Sequence, residues 1–176
     1  YDRLVGSEMC IRDSPYHFWY IGKSYYDSTL GDYPLGMDHI KEYARRSIFY
    51  FAQYLNYKHE YHITGQAKQL DELAYFALYA MGDMNKLCGN YEKALDCGMR
   101  AEEFAPPRNE HIVLQAECYR DLQDYDSMKI QTDRLMDPDR KLPFPEFNFL
   151  LNMEHYNDSG KYCNQLNDFV LEKINK

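Results

Sequence analysis

Four groupings in this 176-residue chain carry residue types that could do chemistry. His59-Glu60-Tyr61-His62 places two imidazoles around a carboxylate. A zinc-peptidase helix needs its histidines at i and i+4 on one face. Here the spacing is i, i+3 with no third ligand in view, so the run reads as a polar connector. Asp124-Tyr125-Asp126 and Asp137-Pro138-Asp139 share the DxD spacing that holds a divalent metal in some transferases. That use needs a strand end in an α/β sheet. Asp124 and Asp126 instead flank a turn tyrosine, and Asp137 to Asp139 falls in a helix-ending loop, so both read as chance matches. Gly22-Lys23-Ser24 has the end of a phosphate loop without its upstream glycine, inside a helical pattern. With no Ser/His/Asp or Cys/His arrangement, the expectation is a chain without catalytic residues, metal or cofactor of its own.

Composition narrows the partner classes. A net charge of −8 argues against a nucleic-acid groove, which needs clustered Lys and Arg. Lys41, Arg45 and Arg46 come nearest to a basic cluster, and at i, i+4, i+5 they read as one solvated helix edge. Of the five cysteines, Cys88, Cys97, Cys118 and Cys163 form no CxxC pair or disulfide framework and read as reduced, mostly buried thiols. Cytoplasm is the compartment this suggests. No apolar run is long enough to span a bilayer.

Residues 1–14 call for separate treatment. Met9 to Asp13 is what ATG TGT ATA AGA GAC encodes, and Leu4 to Glu8 matches CTC GTG GGC TCG GAG. These are consecutive bases of a widely used transposon-based sequencing adapter. Residues 1–14 therefore read as a non-native read-through segment, and residues 15–176 as one domain whose natural start lies upstream.

The domain is expected to be all-α, because its signals repeat at helical-hairpin length. One copy runs Leu78-x2-Met81-Gly82-x2-Asn85, then Gly89-Asn90-Tyr91-x2-Ala94, Gly98, Ala101 and Pro106. This is similar to the tetratricopeptide pattern, with Gly98 standing where an aromatic is usual. Gly82 would let two helices approach, Gly89-Asn90 would punctuate the turn, and Pro106-Pro107 would stop the second helix. Adding a period of 34 maps Tyr91 to Tyr125, Asn90 to Asp124 and Asn85 to Tyr119. That predicts helices over Ile112–Tyr119 and Tyr125–Met136.

Two further copies complete a solenoid of about four hairpins. The last runs Phe149, Met153, Tyr156, a turn at Ser159-Gly160-Lys161-Tyr162, and Phe169. The first runs Phe18-x2-Ile21-Gly22-x2-Tyr25 and Leu30-Gly31-Asp32-Tyr33, with Ser28 and Thr29 as extra turn residues. Between them, Met37–Leu55 reads as a long helix with Ile40, Tyr43, Ala44, Ile48, Phe51 and Leu55 inward. Tyr57 to Gly65 reads as a connector, and a helix follows from about Gln69 to Leu87.

Most of the eighteen tyrosines belong in a core by this pattern. First-helix side chains that do not face the second helix would line a concave face, where solenoids bind their partners. Those are Tyr16, Trp19, Lys23 and Tyr26, then Phe76, Tyr79, Asp83 and Lys86, then Glu110, Val113, Glu117 and Arg120. The expected occupant is a protein or peptide, and an unoccupied solvated face is the competing account. A chaperone-tail clamp is disfavoured, since it would place Lys and Asn where Trp19 and Lys23 stand.

Several runs resemble the C-terminal helical region that follows the catalytic domain in family 2 glycosyltransferases. They are Trp19-Tyr20-Ile21-Gly22-Lys23-Ser24-Tyr25-Tyr26-Asp27 with Leu30-Gly31-Asp32-Tyr33, and the acidic pair Asp71-Glu72. Pro106-Pro107-Arg108-Asn109-Glu110 with Tyr119-Arg120, and Leu142-Pro143-Phe144-Pro145, extend the likeness over about Pro15 to Phe169. The resemblance implies a scaffold or acceptor-binding appendage whose partner is an upstream catalytic domain. The long stretch from Pro34 to Ala74 departs from it, and no catalytic residue carries over. A free-standing interaction module is the alternative.

Overall fold

Trp19, Gly22 and Tyr26, spaced three and four apart, are buried along one stripe of the first helix. In a computed structural model, which describes residues 15–31, 36–58, 67–104, 109–137 and 159–175, every regular element is an α-helix. They are α1 (Pro15–Leu30), α2 (Met37–Lys58), α3 (Ala67–Leu87), α4 (Tyr91–Glu102), α5 (Glu110–Asp121), α6 (Tyr125–Met136) and α7 (Ser159–Ile174). Consecutive helices pack on one another throughout, and α1 also touches α3, α3 touches α5, and α5 touches α7.

The turn joining α3 to α4 and the turn joining α5 to α6 share one hydrogen-bond pattern, displaced by a single repeat. In the first, Cys88 N–H donates to Met84 O, Gly89 to Lys86 O, Asn90 to Asn85 O and Ala94 to Asn90 O. In the second, Leu122 donates to Cys118 O, Gln123 to Arg120 O, Asp124 to Tyr119 O and Met128 to Asp124 O. Both turns need a left-handed residue, and Gly89 (φ 80°) and Gln123 (φ 60°) supply it. Glycine adopts that conformation without strain, whereas a side chain pays for it. Gln123→Gly is accordingly expected to stabilise the fold by about 0.5–1 kcal/mol, read from the denaturation midpoint. A loss of stability would show that the Gln123 side chain contributes more than its backbone costs.

The small residues set the closeness of the helices. A methyl on Gly82 would stand 2.5 Å from Leu114 Cδ2 and 3.3 Å from Ala94 O and Cys97 Cβ, so α3, α4 and α5 meet there. Gly22 lies under the Phe51 ring, and Ser47 Oγ donates to Gly22 O at 2.9 Å, fixing α1 on α2. The unusual Gly98 has a partner as well. A Cβ at Gly98 would come within 3.0 Å of Gln115 Cγ, so Gln115 fills the volume that an aromatic would claim. Gly98→Phe should cost about 1–3 kcal/mol through overpacking. Adding Gln115→Ala should recover part of that cost; equal losses with and without it would mean that the two sites are independent.

Phe76 sits at the centre of the largest core cluster. Its ring centroid lies 5.4 Å from Trp19, 5.8 Å from Tyr26 and 5.9 Å from Phe51, locking α3 against α1 and α2. A second cluster joins Ile112, Val113 and Ala116 of α5 to Met128 and Leu135 of α6 and to Cys163, Leu166 and Val170 of α7.

Several boundaries differ from the sequence reading. Ser28 and Thr29 are helical rather than turn residues, since α1 runs to Leu30. Their hydroxyls bond back to Ser24 O and Tyr26 O, which lets both remain in the last turn. Tyr57 belongs to α2 and not to a connector, its ring stacked on Phe18 at 5.3 Å. The third helix starts at Ala67, not Gln69, and the fifth spans Glu110–Asp121, not Ile112–Tyr119. Ser159 to Tyr162 is the beginning of α7 and not a turn, because a glycine in the first helical turn interrupts no established ladder. Phe149, Met153 and Tyr156 lie outside the described residues.

Candidate functional site

The residues expected on a concave face divide into three groups. Trp19, Tyr26, Phe76 and Tyr79 are buried in the first core cluster, and Val113 is buried in the second. Trp19 Nε1–H donates to Leu73 O at 3.1 Å, which satisfies the indole inside the fold. Glu110 is also buried, accepting from Tyr75 O–H at 3.0 Å and from Asn109 N–H. Tyr16 is half-buried, and Lys23 pairs along its own helix with Asp27 at 2.5 Å. These residues do not assemble into an open aromatic groove.

The third group does assemble. Tyr26 O–H on α1 donates to Asp83 Oδ2 on α3 at 3.2 Å. Asp83 Oδ1 stands 3.5 Å from Lys86 Nζ, one turn along the same helix. Lys86 crosses to α5, donating to Glu117 Oε2, and Tyr162 O–H on α7 donates to Glu117 Oε1. A polar ladder therefore passes α1–α3–α5–α7 through the helices that touch at every second position. Arg120 lies beside it, paired with Asp121 at 3.0 Å.

The ladder is written in the repeat. Asp83-x2-Lys86 recurs one repeat later as Glu117-x2-Arg120, an acid and a base one turn apart on equivalent helices. That recurrence was available in the sequence. Tyr162 was missed because its segment read as a turn, which hid the face it presents to Glu117.

Partial burial sets the electrostatics. Burial raises the Asp83 carboxyl above the ordinary carboxylate range, with Lys86 opposing and Glu117 adding to the rise. For Lys86, burial acts downward, but Glu117 and then Asp83 outweigh it, so the ammonium holds its proton more tightly than usual. Burial, with Glu117 beside it, pushes the Tyr162 phenol up to about 12. Every ladder member thus meets an opposite charge or a donor, an arrangement that fixes the spacing of four helices.

Other chemically suggestive groups have structural surroundings. Asp124 of the first DxD caps α6, accepting from Ser127 N–H at 3.1 Å, and Asp126 is exposed on the first turn. Asp137 follows α6, while Asp139 and His59 to His62 lie outside the described residues. Burial pushes the thiols of Cys97 and Cys118 up to about 11 and about 12, so both stay protonated at neutral pH, opposite to an activated thiolate. Among the described residues no group of His, Cys, Asp and Glu has metal-ligand geometry, and no helix is long and apolar enough to cross a membrane. No protein-family model matches the chain, and neither a curated protein nor a solved structure shows significant similarity to it.

Proposed function

We propose that this chain is a non-catalytic helical-repeat scaffold of the tetratricopeptide type. Its first-helix side, along Lys23, Asp83, Lys86, Glu117 and Arg120, presents a protein- or peptide-binding surface. The observation that carries this reading is that both the turn hydrogen bonds and the acid–base pair recur in the same register, one repeat apart. Nearest-neighbour stacking of repeats builds extended surfaces of one chemical character, and such surfaces are used for binding.

Within that reading, the chain serves as the C-terminal accessory region of a family 2 glycosyltransferase. The runs Trp19 to Tyr33 and Pro106 to Arg120 support this context. The test is to recover the coding sequence upstream of Pro15. A nucleotide-sugar-binding α/β domain with a DxD is the expected finding. A start codon within a few residues of Pro15 would instead favour the free-standing interaction module. Hydrolysis of a nucleotide sugar by the purified chain would overturn the non-catalytic reading.

A further inference from the structure

Gly98 and Gln115 meet where α4 packs on α5, at the joint between the two hairpins that carry the repeated acid–base pair. Gln115 is 2% exposed, and its side chain ends in a carboxamide. An aromatic ring in that volume would need apolar contact alone, whereas a buried amide N–H needs an acceptor. Among the described residues, Gln115 Nε2 has no hydrogen-bond partner. Buried polar groups in folded proteins are satisfied either by other protein groups or by ordered water.

Gly98 determines what the partner can be. A Cβ at Gly98 would stand 3.0 Å from Gln115 Cγ, 3.5 Å from His111 O and 3.6 Å from Gln115 Nε2, and these are its three nearest atoms. The position beside the Gly98 Cα is therefore bordered by one donor and one acceptor. His111 O accepts the Gln115 backbone N–H within α5, as an α-helix requires, and keeps a second lone pair. A group joining Nε2 to that oxygen has to accept one proton and donate another. Gly22 and Gly82 offer nothing similar, since the first faces the Phe51 ring and the second faces Leu114 Cδ2 at 2.5 Å.

Size and burial select the group. A single non-hydrogen atom, moved a few tenths of an ångström away from Gln115 Cγ, reaches both polar atoms at ordinary hydrogen-bond lengths of about 2.7–3.2 Å. A side chain from a partner cannot enter, because Gln115 and His111 are 2% and 1% exposed. We propose that one ordered water molecule is held between α4 and α5, accepting from Gln115 Nε2–H and donating to His111 O. Two protein partners are enough to hold a buried water. The joint between the hairpins is then wet at the position where an aromatic would make it dry. The water leaves only when α4 and α5 part, so its lifetime reports the opening of the joint, whatever binds the ladder side.

Two measurements on the full chain test this site. In NMR hydration spectra, the Gln115 side-chain amide and the Gly98 Hα protons should show cross-peaks to water with NOE and ROE of opposite sign, the signature of a long-lived water. The Gly98 cross-peak should vanish in Gln115→Met, which keeps the side-chain length and removes the donor, while the helical circular dichroism is retained. That variant should gain less than about tenfold in its folding equilibrium constant, because the amide and its water are removed together. Three outcomes would overturn the proposal. They are absent cross-peaks, a Gly98 cross-peak that persists in Gln115→Met, and a Gln115→Met variant stabilised by more than about tenfold, which would show that the amide is buried with no partner at all.

Discussion

Phe76→Ala is expected to destabilise the fold by about 3–5 kcal/mol, as for the loss of a fully buried aromatic ring. The ring is 1% exposed and packs, centroid to centroid, at 5.4 to 5.9 Å from Trp19, Tyr26 and Phe51. Removing it forfeits apolar burial and leaves a hole bounded by two helices that cannot both move in. α1 and α2 are held to each other by Gly22, Ser47 and the outer tyrosines. The ring edges facing Phe76 are also lost, at about 0.5–1.5 kcal/mol for each aromatic pair. Urea denaturation followed by circular dichroism measures the effect, with Phe76→Leu as the conservative control, expected to lose clearly less. A loss below about 1 kcal/mol, the average for any point substitution, would show that the α1–α2 hairpin is not clamped through this residue.

Lys86→Met should cost about 2–3 kcal/mol at pH 7 through a different mechanism. The substitution keeps the aliphatic stem and removes the one cation shared by Asp83 and Glu117. The estimate sits at the low end for a broken buried pair, because these side chains retain some exposure, 23% for Lys86 and 15% for Glu117. The pH dependence identifies the mechanism. Folding raises the Asp83 carboxyl above its unfolded value of 3.8, so the folded state binds the Asp83 proton more tightly than the unfolded state does. That contribution is fully present below pH 3.8 and is lost as pH rises through the folded value. Lys86 works the other way, lowering the Asp83 carboxyl and holding its own proton more tightly in the fold. Without it the fold favours protonated Asp83 more strongly, so the variant should lose more stability at pH 7 than at pH 4. Asp83→Asn on the Lys86→Met background should recover much of the loss at pH 7. A loss independent of pH would mean that Lys86 acts by packing alone.

Charges already paired between helices fix the orientation of the stack. The binding surface proposed on the ladder side would use what remains accessible around the pairs, notably Arg120 and Lys23.

Local sequence determined the helices and the turns, because both depend on neighbours in the chain. The spacing of Trp19, Gly22 and Tyr26 produced α1, and Gly89-Asn90 with its counterpart Gln123-Asp124 produced two turns with the same hydrogen bonds. Tyr125–Met136 could be read to the residue, since an N-capping aspartate and a following loop delimit it. What tertiary packing decided was which aromatic and charged residues stay accessible. Trp19, Tyr26 and Tyr79 alternate correctly for an open face, yet Phe76 and the neighbouring helices draw them into the core, where burying a large ring outweighs leaving it in water. Asp83, Lys86 and Glu117 carry charges that burial penalises, so they found partners across helices instead. Helical periodicity assigns a residue to a stripe; only the neighbouring helix determines whether that stripe meets a ring, a charge or water.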